Sequence, residues 1–122
     1  MSVWQNSRKL VKNIYCLTKS LPAEERFGLV SQIQRAAVSV SSNIAEGASR
    51  TSGKDQGHFY QTAYSSLMEV LCQLTLCLDL DYISESSYRS SRAMIDQVSY
   101  QLRAAAIRKP PKPPQLSQPS QH

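Results

Sequence analysis

No proline occurs between residues 23 and 109 of this chain; Pro22 stands at one edge, and Pro110, Pro111, Pro113, Pro114 and Pro119 follow the other. Proline lacks a backbone donor and clashes with the preceding turn, so it is the strongest helix breaker. A long interval without it is open to continuous helices, and the apolar pattern inside it has a helical period. Val3, Leu10, Ile14, Leu17 and Leu21 share one face of a first helix expected near residues 3 to 20. Pro22, followed by Glu24 and Glu25, marks the start of a second helix and complements its N-terminal dipole; the helix is expected to run from 22 to 47 and to stop at Gly47. Ser52, with Asp55 three residues on, forms a capping-box variant for a third helix over 53 to 79, whose face is Phe59, Ala63, Leu67, Val70, Leu74 and Cys77. Ser84 is a good N-cap for a fourth helix to about 107, with Tyr88, Ser91, Ile95, Val98, Leu102 and Ala105 on one side.

Strand signals are absent: no period-2 stretch and no Asn-Gly or Asp-Gly hairpin turn. Four helices joined by short loops predict an all-α fold, an up-down-up-down four-helix bundle over residues 1 to 107. The remaining segment, 108 to 122, is Pro-rich and basic and is expected to be a disordered tail; a Pro-rich ligand for an aromatic groove is its sharper reading.

The chain has 122 residues, 41% hydrophobic and 19% charged, which fits one globular domain and excludes collagen-like, fully disordered and disulfide-scaffold classes. No apolar run approaches the roughly 18 residues of a membrane span, and the start lacks a signal-peptide core. Cys16, Cys72 and Cys77 are odd in number and not spaced for a metal, so reduced thiols and a cytoplasmic location are expected. His58 and His122 are the only histidines, and there is no Gly-rich phosphate loop, Cys-x-x-Cys pair or His-Glu-x-x-His stretch. Catalysis, cofactors and metals are therefore not expected. Glu46 and Glu69 could meet across helices two and three, but neither has a histidine three residues on, and structural roles are expected for both.

The net charge of +5 is unevenly spread. The first 20 residues hold Arg8, Lys9, Lys12 and Lys19 and no acid, while the tail adds Arg108, Lys109 and Lys112. Arg8, Lys12, Tyr15 and Lys19 fall at i, i+4, i+7 and i+11, opposite the Leu10, Ile14 and Leu17 face. A basic line with an aromatic set into it suits a phosphate backbone, the tyrosine offering a stacking surface; a plain solvated face is the alternative. Arg35 and Arg50 on the second helix, with Lys109 and Lys112 in the tail, are lesser candidates for nucleic-acid contact. The pattern promises no sequence reading.

Two helices carry more apolar surface than one docking face requires. Phe27, Val38 and Ala45 lie beside the main wedge of helix two, and Met68, Cys72 and Leu76 lie off the main face of helix three. We read Phe27, Val38, Met68, Cys72 and Leu76 as subunit contacts in a homo-oligomer; a wide wedge buried within one bundle is the alternative. Arg35, Ser39, Ser42, Asn43, Glu46 and Arg50 cluster on one side of helix two. From spacing alone this polar stripe reads first as a clamp that fixes helix register, and second as a binding surface.

Gln34-Arg-Ala-Ala-Val-Ser-Val-Ser-Ser-Asn-Ile-Ala-Glu-Gly47, followed by Arg50, resembles the signature of the 23S rRNA-intervening-sequence protein family of bacteria. A second block, Ala63-Tyr-Ser-Ser-Leu-Met-Glu-Val70, is similar to the family's second motif, with Ser65 where a glycine is expected. The resemblance spans about residues 4 to 104 and places Ser42, Asn43, Glu46, Gly47 and Glu69 in family motifs. It implies a compact helical bundle, commonly a ring-like pentamer. It also implies kinship with an accessory subunit of diversity-generating retroelements, which assists a reverse transcriptase and binds nucleic acid. The expected function is thus a non-enzymatic oligomeric bundle that binds nucleic acid, RNA favoured, as an accessory factor. The alternative is a protein-interaction scaffold whose partner is, for example, a reverse transcriptase.

Overall fold

The computed structural model describes residues 1–107; the tail, with Lys109 and Lys112, lies outside the described residues. Four helices follow in order: α1 (Ser2–Leu17), α2 (Ser31–Ala48), α3 (Gly53–Asp79) and α4 (Glu85–Ile107). No strand occurs among the described residues. Each helix packs on its neighbours in sequence, and α1 also packs on α4, so the four close into an up-down-up-down ring.

One apolar core fills the ring. Leu10 and Ile14 from α1, Ile33, Val40 and Ile44 from α2, Leu67, Val70 and Leu74 from α3, and Ile95 and Val98 from α4 are all completely buried. Burying a side chain of this size contributes about 1.5–3 kcal/mol, so the helical periodicity of the sequence is also the main source of stability. Small polar pairs cross the seams between helices and set their register. Ser7 Oγ donates to Trp4 O at 2.6 Å and lies 3.2 Å from Ser41 Oγ on α2. Ser39 and Ser66 hydroxyls meet at 2.8 Å between α2 and α3, and Ser91 Oγ donates to Asn13 Oδ1 at 2.6 Å between α4 and α1. Gln73 Nε2 donates to Gln32 Oε1 at 3.3 Å, while the buried Gln73 Oε1 has no partner.

The caps follow the expected chemistry. Ser52 Oγ accepts the Asp55 amide at 3.0 Å to start α3, and Ser84 Oγ accepts the Ser87 amide at 3.1 Å to start α4.

Three expectations are corrected. First, the helix expected from residue 22 is not continuous. Ala23–Glu25 form a 3-10 turn, Arg26–Val30 a π-helical turn, and Gly28 has non-helical angles of φ −108° and ψ −110°. The cause is Glu25, whose carboxylate accepts the Leu29 amide at 3.2 Å and the Tyr82 hydroxyl at 2.9 Å. The Leu29 donor that a regular helix would send to a backbone carbonyl is thus captured by a side chain. Similarly, α1 ends at Leu17 and a 3-10 turn, Thr18–Ser20, completes the segment expected to be helical.

Second, Gly47 does not terminate helix two, which continues to Ala48, and its φ is not positive. Its role is close approach: a Cβ there would lie 2.7 Å from the Tyr60 ring. Third, the aromatic residue on the inner face of α3 is Tyr60, which is buried, and not Phe59. Phe59 is half-buried under the Arg50 guanidinium, 4.8 Å from the ring centre. The gap at Gly47 receives the Tyr60 ring, which is why the later of two adjacent aromatics turns inward.

Candidate nucleic-acid interface

The inner face of α1 is spent on the core, so its charged residues point away from the bundle. Arg8, Lys12, Tyr15 and Lys19 are all exposed, as the spacing predicts. Arg8, Lys12 and Tyr15 lie on α1 itself, while Lys19 belongs to the 3-10 turn that follows. Arg8 stacks over Trp4 at 4.9 Å, which holds its guanidinium along the helix instead of leaving it to sweep through solvent.

The antiparallel register of α1 and α2 brings further residues to this line. An open groove of about 450 Å³ runs between the two helices, lined by Arg8, Val11, Lys12, Tyr15, Val38, Ser41 and Ser42. Its floor and walls are mostly apolar, its α1 side is cationic, and two hydroxyls come from α2. Tyr15 is 44% exposed and Val38 40%, so both are available to a ligand. The Ser7–Ser41 contact pins the helices beside the groove and sets its width.

Charge favours an anion here. From Met1 to Ser52 the chain has seven basic and three acidic side chains, whereas from Gly53 to Ile107 it has four basic and six acidic ones. On α1 there is no acid, and the one acid on α2, Glu46, is paired with Arg50. The described salt bridges are Glu46–Arg50, Glu85–Arg89 and Arg92–Asp96, none of which involves Arg8, Lys12, Lys19 or Arg35. Arg35 is exposed on the outer side of α2.

The polar stripe of α2 divides. Ser42 enters the groove. Asn43 is half-buried and donates to Ser39 O at 2.9 Å and Ser39 Oγ at 3.1 Å, and Ser39 in turn meets Ser66 of α3. Glu46 and Arg50 pair beside Phe59, and Gln56 Nε2 closes the corner by donating to Arg50 O at 3.1 Å. Gly47 and Arg50 therefore meet the start of α3 through Tyr60 and Phe59, while Asn43 and Glu46 bond Ser39 and Arg50 on their own side of the turn. Glu69 is exposed on the outward line of α3 and, by the Ser39–Ser66 register, lies roughly three helical turns from Glu46. The two carboxylates do not form a site.

Among the described residues no group of three or more His, Cys, Asp or Glu is placed to hold a metal. Burial, reinforced by the charge of Glu25, pushes the Cys77 thiol up, so it is a poor nucleophile packed in the core. His58 is exposed.

The residues expected at a subunit contact are not on one surface. Val38 belongs to the α1–α2 groove. Met68 is half-buried against the bundle's own core. Cys72 and Leu76 are exposed on the outward line of α3, continued by the exposed Leu80. Phe27, 87% exposed, projects from the π-helical turn before α2 instead of from α2. Sequence reasoning missed Val11, Ser41 and Trp4; only Trp4 had a visible signal, one turn before Arg8.

The fold and the groove together define a class, a small antiparallel four-helix bundle with a cationic, apolar-floored groove on its first hairpin. The sequence matches the family described as 23S rRNA-intervening sequence protein over residues 1–104, and the chain belongs to that family. It is similar to the crystal structure, at 1.70 Å, of a protein of unknown function from the S23 ribosomal protein family of Bacteroides thetaiotaomicron. That likeness has a TM-score of 0.79 and 25% identity, and covers 85% of this chain and 97% of the other. No curated protein matches it. No helix among the described residues is long and apolar enough to cross a membrane.

Proposed function

We propose that this protein is a non-enzymatic accessory factor that binds nucleic acid, RNA in preference, through phosphate contacts along α1 and the α1–α2 groove. The observation that carries the reading is the convergence of Arg8, Lys12 and Tyr15 with Ser42 around one groove on the acid-poor hairpin. Arg35 and the tail's Lys109 and Lys112 are lesser contacts in this reading. The protein works in the cytoplasm as a homo-oligomer, a pentamer in the arrangement that the family resemblance implies. Repetition around a ring multiplies a weak charged contact into a useful one. The exposed Phe27, Cys72, Leu76 and Leu80 support contacts between copies.

The test is binding of the full chain to a labelled structured RNA across a salt series. Micromolar or tighter binding is expected, with a log-log slope of about 0.7 to 0.9 per phosphate contact. Absence of binding at low salt overturns the reading. The outward line Cys72, Leu76 and Leu80 also favours a second reading, a scaffold for a protein partner such as a reverse transcriptase. A monomer mass by light scattering at micromolar concentration would count against the oligomer and leave that line to such a partner.

A further inference from the structure

We infer that the α1–α2 groove holds an unpaired nucleotide, its base against Tyr15, so that the protein selects single-stranded RNA over duplex. The inference rests on the reading of this face as an RNA-binding surface and goes beyond phosphate contact. A surface that only tracks phosphates needs charge and no concavity. Here a concavity of about 450 Å³ lies within the cationic line. That volume falls in the range of roughly 300–1,000 Å³ typical of sites for small organic ligands. Val11 and Val38 offer apolar contact and the half-exposed Tyr15 a ring face, while Arg8 and Lys12 stand on the rim where a phosphate would lie. Ser42, exposed, offers a hydroxyl to a base edge or ribose. Stacked and paired bases inside a duplex have both faces covered by their neighbours and present only their edges, with phosphate and sugar, outside. Only an unpaired nucleotide brings a base face and a phosphate together at this spacing. The acid-free α1 excludes an anionic rim, and hence a cationic ligand, from the same groove.

Two probes with the full chain decide it: an unstructured RNA containing 2-aminopurine, and the same strand annealed to its complement. The single strand is expected to bind more tightly, with a change in 2-aminopurine fluorescence on binding. Tyr15→Ala should weaken the single strand by about 5- to 150-fold, the range one stacked base contributes. It should leave duplex affinity and the salt slope nearly unchanged, and Tyr15→Phe should retain the preference. Equal, salt-dependent binding of both probes that is indifferent to Tyr15→Ala overturns the nucleotide inference and leaves the phosphate reading standing. Absence of binding to either probe removes both. Displacement of the strand by equimolar adenosine monophosphate would make the groove a free-nucleotide site and also overturn the strand assignment.

Discussion

The two hairpins of this bundle, α1–α2 and α3–α4, bury the same kinds of residue and expose different ones. Leu and Ile dominate the inward faces of both, and each hairpin is half of one core. Outside, the first hairpin has Arg8, Lys12, Lys19 and Arg35 with no described acidic partner, and a groove between its helices. On the second, Arg89 pairs with Glu85 and Arg92 with Asp96 one turn away, while Arg103 stacks on Tyr64 at 5.9 Å. The difference is instructive because the core does not require it. The core does not depend on where these exposed charges lie, and a segregated, uncompensated positive field on one hairpin attracts polyanions.

Charge reversal on each hairpin in turn tests this most strongly. Arg8, Lys12 and Lys19 changed together to Glu should weaken RNA binding by at least about 100-fold, measured by anisotropy, with the helical circular dichroism retained. Lys54, Arg89 and Arg103 changed to Glu alter net charge by the same amount and should leave affinity within about 3-fold. Equal losses from the two sets would reduce the comparison to net charge alone.

The junction between the hairpins is next in size. Gly47→Ala places a methyl group against the Tyr60 ring and should destabilise by about 1–2 kcal/mol in urea unfolding. Overpacking of about 1–3 kcal/mol exceeds the roughly 1 kcal/mol that alanine gains over glycine inside a helix. A neutral or stabilising result would mean that the Tyr60 ring yields freely. Asn43→Ala should cost about 0.5–1.5 kcal/mol, because its amide bonds only Ser39 of its own helix and is half-buried. A larger loss would show that Asn43 holds α3 directly.

The smallest effect concerns pH. The hydrogen bond to Glu25, with burial and acidic neighbours adding to it, raises the Tyr82 phenol above its ordinary value. A group raised in the folded state contributes stability below the unfolded value, about 10 for tyrosine, and loses it as pH rises through the folded one. Tyr82→Phe should therefore flatten the alkaline limb of a stability–pH curve measured by urea unfolding.

The ring of helices was legible because proline placement and periodicity are local properties of the chain. The break at Gly28 was not, since Leu29, Val30 and Ile33 keep an apolar pattern through it while Glu25 is engaged by Tyr82, 57 residues away. Choosing between Phe59 and Tyr60 likewise depended on Gly47 of another helix. The candidate site divides the same way. The cationic line on α1 follows from residue spacing, whereas Val11, Val38 and Ser41 join it only when two helices are set side by side. The pattern of α2 alone shows Val38 only as an apolar residue beside the main wedge, and its place in the groove depends on α1.

The closure of α1 against α4 also has a temporal side. Asn6 donates to Gln101 across 95 positions of chain, and Asn13 receives its bond from Ser91 across 78. A ribosome adding roughly 5–20 residues per second therefore finishes α1 many seconds before the surface that covers it exists. Throughout that interval the nascent chain exposes one flank of α1's oily face with the cationic line intact beside it. The newborn protein is thus both sticky and polycationic at the place in the cell where RNA is most concentrated.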